Sequence, residues 1–112
     1  LALNIIEGDA ERIEVALLNL KAAKKARHAS AFENALAYLK SAKELLGENH
    51  WKDDYQLSLE IYVLASQMAY CNGAFDLMND LLQDILDNAE NVLDKTESFS
   101  IRLKYLTVQR SP

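Results

Sequence analysis

Two stretches of this chain repeat each other 43 residues apart, Ser30-x-Phe32-x-x-Ala35 and Gly73-x-Phe75-x-x-Met78. Each reads small residue, spacer, aromatic, then a small or flexible apolar residue three positions later. That order marks the turn that opens the second helix of a helix-turn-helix unit, and a chain built on it folds by stacking helix pairs. Ser30 to Leu46 is the fuller copy. Phe32, Ala35, Leu36, Tyr38, Leu39, Ala42, Leu45 and Leu46 recur three and four apart, which places them on one stripe of a helix.

The remaining residues agree with an all-α chain. Half of the 112 residues are hydrophobic, there is a single proline, Pro112, and the three glycines are Gly8, Gly47 and Gly73. A chain of this length can bury roughly two-thirds of its unfolded surface, enough for one core. The first long helix is expected from about Asp9, its N-cap, to Arg27. Ile13, Leu17, Leu20 and Lys24 lie along one side, and Ala16, Ala23 and Ala26 allow close approach of a neighbour. Glu11 and Glu14 near its start and Lys21, Lys24, Lys25 and Arg27 near its end complement the helix dipole. His28-Ala29-Ser30 makes the turn, with Ser30 and Glu33 spaced as a capping box. Gly47 stands where a left-handed residue closes the second helix, and Glu48 to His50 form a polar loop.

A third helix is expected from the Trp51–Asp54 region to about Cys71, with Asp53 or Asp54 as cap or first-turn acid. Tyr55, Leu57, Leu59, Ile61, Tyr62, Leu64, Ala65, Met68 and Ala69 leave it apolar on more than one side, as an inner helix requires. The fourth runs from about Ala74 to Asn91, with Phe75, Met78, Leu81, Leu82, Ile85, Leu86 and Ala89 inward and Asp76, Asp80, Asp84 and Asp87 outward. The fifth covers about Asp94 to Gln109 and carries Phe99, Ile101, Leu103, Tyr105, Leu106 and Val108. The next turn of the series would fall near residue 116, so the fifth helix is expected to be the first half of a third unit. Leu1 to Gly8 is expected to be the tail of an upstream segment, followed by one helical domain over 9–112. Its Leu1, Leu3, Ile5 and Ile6 need cover, as does the last helix, from flanking segments or from a second copy in a homodimer.

These units resemble lengthened tetratricopeptide repeats, which run to about 34 residues. The resemblance implies a right-handed superhelix of antiparallel helix pairs, about five helices in all. Over nearly the whole chain a narrower likeness holds. Leu3-Asn4, Leu18-Asn19-Leu20, Ala22, Lys24-Lys25-Ala26, Ser30, Phe32, Ala35-Leu36, Tyr38-Leu39 and Leu45-Leu46 resemble the helical region that follows the ATPase in large bacterial signalling proteins. A helix opened by Trp51, with Tyr55 and Leu57, and the turn Ala69-Tyr70-Cys71-Asn72-Gly73-Ala74-Phe75 continue it. Those proteins join a serine/threonine kinase, an AAA-type ATPase, this helical stretch, a GAF sensor and a histidine kinase. Ala23, His28 and Ala42 depart from the family pattern, at positions where glycine, lysine and glycine are usual. The motifs are packing motifs, and the parent proteins' kinase and ATPase signatures are absent from this stretch.

Little in the sequence carries chemistry. A phosphate-cradling glycine loop, a dinucleotide fingerprint and a kinase catalytic loop are all missing. The Glu-x-x-His pair of a di-metal bundle fails, because Lys25 and Gly47 precede His28 and His50 by three. A histidine phosphotransfer helix resembling His-x-x-Lys-Gly is unsupported, since Ala29, Ser30, Ala31 and Phe32 follow His28. The four aspartates of the fourth helix lack the loop spacing of a calcium site and read as a solvated face. Cys71, the single cysteine, excludes an internal disulfide, has no neighbouring cation in sequence and reads as a packed thiol. Trp51 and Tyr55 read as a staple between a helix start and its neighbour. A net charge of −5 argues against nucleic acid. No apolar run of about 18 residues is present, so no membrane span is expected, and the cysteine usage leads to the expectation of a cytoplasmic location.

The expected function is that of a non-catalytic scaffold or protein-interaction segment of a bacterial signal-transduction protein, without cofactor or metal. Its partners are the neighbouring domains of the same polypeptide or other proteins. The alternative is a regulatory lever that couples an adjacent ATPase to downstream sensor-kinase domains. Repeats of this kind present the first helix of each pair on the concave side, which places Lys24, Arg27, His28, Gln67 and Tyr70 on the candidate protein-binding surface.

Overall fold

The computed structural model describes residues 2–110 of the chain. Among the described residues there are six helices and no strand: α1 (Ala2–His28), α2 (Phe32–Leu45), α3 (His50–Asp53), α4 (Tyr55–Cys71), α5 (Phe75–Asn88) and α6 (Val92–Arg110). Helix α1 begins well before Asp9, contrary to expectation, and passes through Gly8 without a break. A glycine inside a helix costs only about 1 kcal/mol relative to alanine, which long flanking runs of helix formers absorb. Asp9 is therefore not a cap, and its carboxylate lies 3.7 Å from the Arg12 guanidinium one turn on. The side chains of Leu1, Leu3, Ile5 and Ile6, whose cover was at issue, lie outside the described residues.

The 43-residue period recurs in the backbone. At the end of α1 the Ser30 N–H donates to the Arg27 carbonyl at 2.9 Å and the Ala31 N–H to the Ala26 carbonyl at 2.8 Å. At the end of α4 the Gly73 N–H donates to Tyr70 at 3.1 Å and the Ala74 N–H to Ala69 at 2.8 Å. This pair of bonds closes a helix around one left-handed residue, and Ser30 (φ 61°) and Gly73 (φ 73°) occupy that position. The next residue has nearly the same dihedrals in both turns, φ −87°, ψ 68° at Ala31 and φ −85°, ψ 67° at Ala74. Helices α2 and α5 then both run for 14 residues.

The role of Ser30 differs from the expected one. It terminates α1 instead of capping α2, whose N-cap is Ala31 with no side-chain bond, so the capping box with Glu33 does not form. Gly47 likewise does not supply a left-handed terminus. Leu46 leaves α2 in extended backbone (φ −73°, ψ 143°), and a Cβ at Gly47 would meet only the end of the flexible Arg12 side chain, at 3.4 Å, an ordinary contact. The third predicted helix divides in two. Asp54 (φ −133°, ψ 52°) separates the short α3 from α4, and α3 folds back so that Trp51 tilts against Tyr62 with ring centroids 4.9 Å apart.

Helix α4 is the inner element. It packs on α2, α5 and α6, while α1 packs on α2 and α6 on α5. Each second helix thus touches the first helix of its own pair and the first helix of the following one. The core fills as the apolar stripes require. Ala16 and Ala23 of α1 and Ala35 and Ala42 of α2 are fully buried, so two helices lined with small residues can approach closely. Leu39, Ile61, Met78, Leu82 and Ile85 fill the centre. The Asn72 amide ties the two turns together, donating to the Phe32 and Met68 carbonyls at 2.9 Å each. Leu17 and Tyr38, expected on buried stripes, are 49% and 42% exposed. Among the described residues of α6 only Ser98 and Ile101 are buried, while Phe99, Leu103 and Leu106 face outward.

Candidate protein-binding groove

The five candidate residues fall into two groups. Arg27, Gln67 and Tyr70 line one opening of about 290 Å³ at the convergence of α1, α4 and α6. Phe32, Met68 and Ile101 form its apolar wall, and Cys71 and Lys104 complete it. The 43-residue period explains part of this arrangement, because Arg27 and Tyr70 hold the same place in successive units, each accepting the turn's first hydrogen bond. Lys24 and His28 lie elsewhere. With Lys21, Lys25 and Ala29 they border a shallow cleft of about 420 Å³ along α1.

Lys24 is paired within the fold. Its ammonium bonds the Glu60 carboxylate of α4, a half-exposed ion pair of small energetic weight. Gln67 donates its amide to Glu97 of α6 at 3.4 Å. Tyr70 is half-buried against Phe75, ring centroids 6.2 Å apart, and Phe75 in turn tilts against Tyr105 at 4.8 Å. Arg27 and Lys104 are exposed and enter no ion pair among the described residues. Cys71, expected as a packed thiol, is exposed at the end of α4.

A second opening escaped sequence reasoning. Between α2 and α5, with α4 as its floor, a groove of about 480 Å³ is lined by Leu36, Leu39, Leu77 and Leu81, with Lys40 and Lys43 on its α2 side. His50 and Tyr62 close one end. The Ser58 hydroxyl donates to the His50 carbonyl at 3.1 Å, which leaves its oxygen to accept from His50 Nδ1 at 2.7 Å and so selects the Nδ1-protonated tautomer. The imidazole stacks on Tyr62 with centroids 5.5 Å apart. Burial holds the His50 pKa below its usual value, an effect that Asp54 and Asp84 oppose and Lys43 reinforces. Burial, with the Asp84 charge, pushes the Tyr62 phenol up to about 12. Lys43 Nζ lies 5.5 Å from the centre of the Tyr62 ring, a cation–π distance. The spacing of Trp51, Tyr55 and Tyr62 at i, i+4 and i+11 was the available signal. A continuous helix through Trp51 would have hidden the turn that brings His50 back over Tyr62.

Trp51 and Tyr55 act as the expected staple. Their centroids are 6.0 Å apart, and the Tyr55 hydroxyl donates to Asp94 at 2.6 Å while accepting from the Glu90 N–H at 2.9 Å, fastening α4 to the start of α6. The aspartates at 76, 80, 84 and 87 are exposed. Among the described residues no group of three or more His, Cys, Asp or Glu is placed to hold a metal ion, and no helix is long and apolar enough to cross a membrane. In comparisons with known proteins, no family model, no curated protein and no solved structure matched the chain.

Proposed function

We propose that this chain is a non-catalytic helical-repeat scaffold, a tetratricopeptide-like stack that holds neighbouring modules in a defined relation and offers a groove to a protein partner. The observation that carries the reading is the recurrence of one turn geometry at 43 residues, joined to a packing order in which every second helix contacts the first helices on both sides of it. Such a stack transmits position along its length because each unit is fixed by its neighbours. The molecule measures 59 × 31 × 20 Å, an elongated body suited to spacing two attachments. The likeness of Leu18 to Leu46 to the helical region of kinase–ATPase signalling proteins supports the same reading, with the ATPase and the sensor modules as the attachments.

The test is a distance. Two spin labels are placed at exposed positions of α1 and α6, on cysteines replacing Glu11 and Lys104 in a Cys71→Ser background. A rigid scaffold gives one narrow distance distribution that is unchanged in viscous solvent. A broad or multimodal distribution would sink the scaffold reading.

A further inference from the structure

The opening between α1, α4 and α6 reverses the charge character of the molecule around it. The chain carries a net charge of −5, yet the only charged side chains lining this slot are the Arg27 guanidinium and the Lys104 ammonium, on different helices. Both cations are exposed and without an ion-pair partner among the described residues. Glu97 of α6, which accepts from Gln67 at 3.4 Å, does not line the slot. The wall between the cations is apolar, and Met68 and Ile101 within it are 2% and 4% exposed. The Tyr70 hydroxyl has no hydrogen-bond partner among the described residues, which leaves a donor at the edge of the slot.

We infer that this slot takes an extended peptide segment of a protein partner in which an acidic side chain neighbours an apolar one. The apolar side chain packs on the half-buried Phe32 at the mouth of the slot, above the nearly covered Met68 and Ile101. The carboxylate meets Arg27, whose planar fork suits two-point recognition, with Lys104 adding its charge from α6. A volume of about 290 Å³ falls at the lower limit of small-molecule sites, and it matches one or two peptide side chains. Arginine and tyrosine at the edge are the residue types that dominate protein–protein contacts. The inference rests on the scaffold reading above and names the chemistry of its partner.

Cys71 provides the assay, because it is the chain's single cysteine, is exposed and lines the slot. The rate at which a neutral maleimide labels it is measured with a capped hexapeptide of alternating leucine and aspartate. Control peptides replace aspartate with asparagine or with lysine. The acidic peptide is expected to slow labelling about threefold at twice its Kd, as mass action requires when the bound state is shielded. The controls are expected to leave the rate unchanged. Arg27→Ala and Lys104→Gln should each weaken the protection about fivefold or more with unchanged melting, since neither side chain is buried or paired. Equal protection by the asparagine peptide overturns the inference. So does equal protection in both variants, or no protection at about 5 mM peptide, a concentration above any useful weak affinity. Protection by decanoate with none by the peptide assigns the slot to a small carboxylate and also overturns it. The spin-label distance is independent of all these outcomes, so loss of peptide binding with a narrow distance leaves the scaffold standing.

Discussion

Ser30 and Gly73 do the same backbone work with different side chains. Both sit in the left-handed region, at φ 61° and 73°, and a Cβ there is crowded by its own carbonyl in a way glycine avoids. Ser30→Gly should therefore stabilise the fold by about 1 kcal/mol, and Gly73→Ala should cost about the same. No atom lies within 4 Å of a Cβ built at Gly73, so the second effect is conformational and not a clash. Urea unfolding of the two variants measures both signs, and a neutral result at either site would contradict the shared turn. Ser98 raises the opposite issue. It is 1% exposed, and its hydroxyl finds no partner among the described residues. A buried unsatisfied hydroxyl costs about 1–3 kcal/mol. Ser98→Ala is accordingly expected to raise the melting temperature, which differential scanning calorimetry would register.

At the scale of elements, α3 matters more than its four residues suggest. It carries His50 and Trp51 onto Tyr62, and His50 is anchored by Ser58 of α4. The His50 pKa is held below 6.5 in the fold, chiefly by burial. Above that pH the imidazole is neutral in both folded and unfolded chains, and its contribution to stability is complete. As the pH falls through 6.5 the unfolded chain takes up the proton first, so stability declines until the folded group also titrates. Urea midpoints should drop between pH 7 and about pH 5. Most of that slope should vanish in His50→Gln, and an unchanged slope would remove His50 as its source. Helix α6 is the other telling element. Ile101, 4% exposed, is its buried apolar anchor among the described residues. Ile101→Ala should cost about 3 kcal/mol. Leu103→Ala, at a residue 65% exposed, should cost less than about 0.5 kcal/mol.

At the scale of the whole molecule, apolar side chains remain uncovered at both ends of the stack. Val15, Leu17 and Leu18 are exposed on α1, and Phe99, Leu103 and Leu106 on α6. The last three recur at four and three residues, the spacing of a face that another helix can cover. If this face joins two copies, light scattering across a concentration series should show a dimer that Leu103→Glu converts to monomer. A monomer at every concentration leaves the face to other segments or partners.

The sequence was sufficient for whatever depends on local geometry. The 43-residue period, the helix stripes and the two repeated turns follow from side-chain size and spacing along the chain, because a helix exposes residues three and four apart to the same neighbour, whereas the break at Asp54 was not legible. It misassigned Ser30 and Gly47, since a small residue at a helix end serves as a cap, a left-handed terminus or an ordinary loop residue, and the backbone path beyond the helix decides which. The candidate surface was legible only in part for the same reason. Arg27, Gln67 and Tyr70 came from the rule that the first helix of each pair faces the concave side, but Lys104 joins them through the docking of α6 on α4, and Lys24 pairs with Glu60 instead. Those contacts join residues tens of positions apart, and burial and charge pairing between distant segments are settled only when the helices pack.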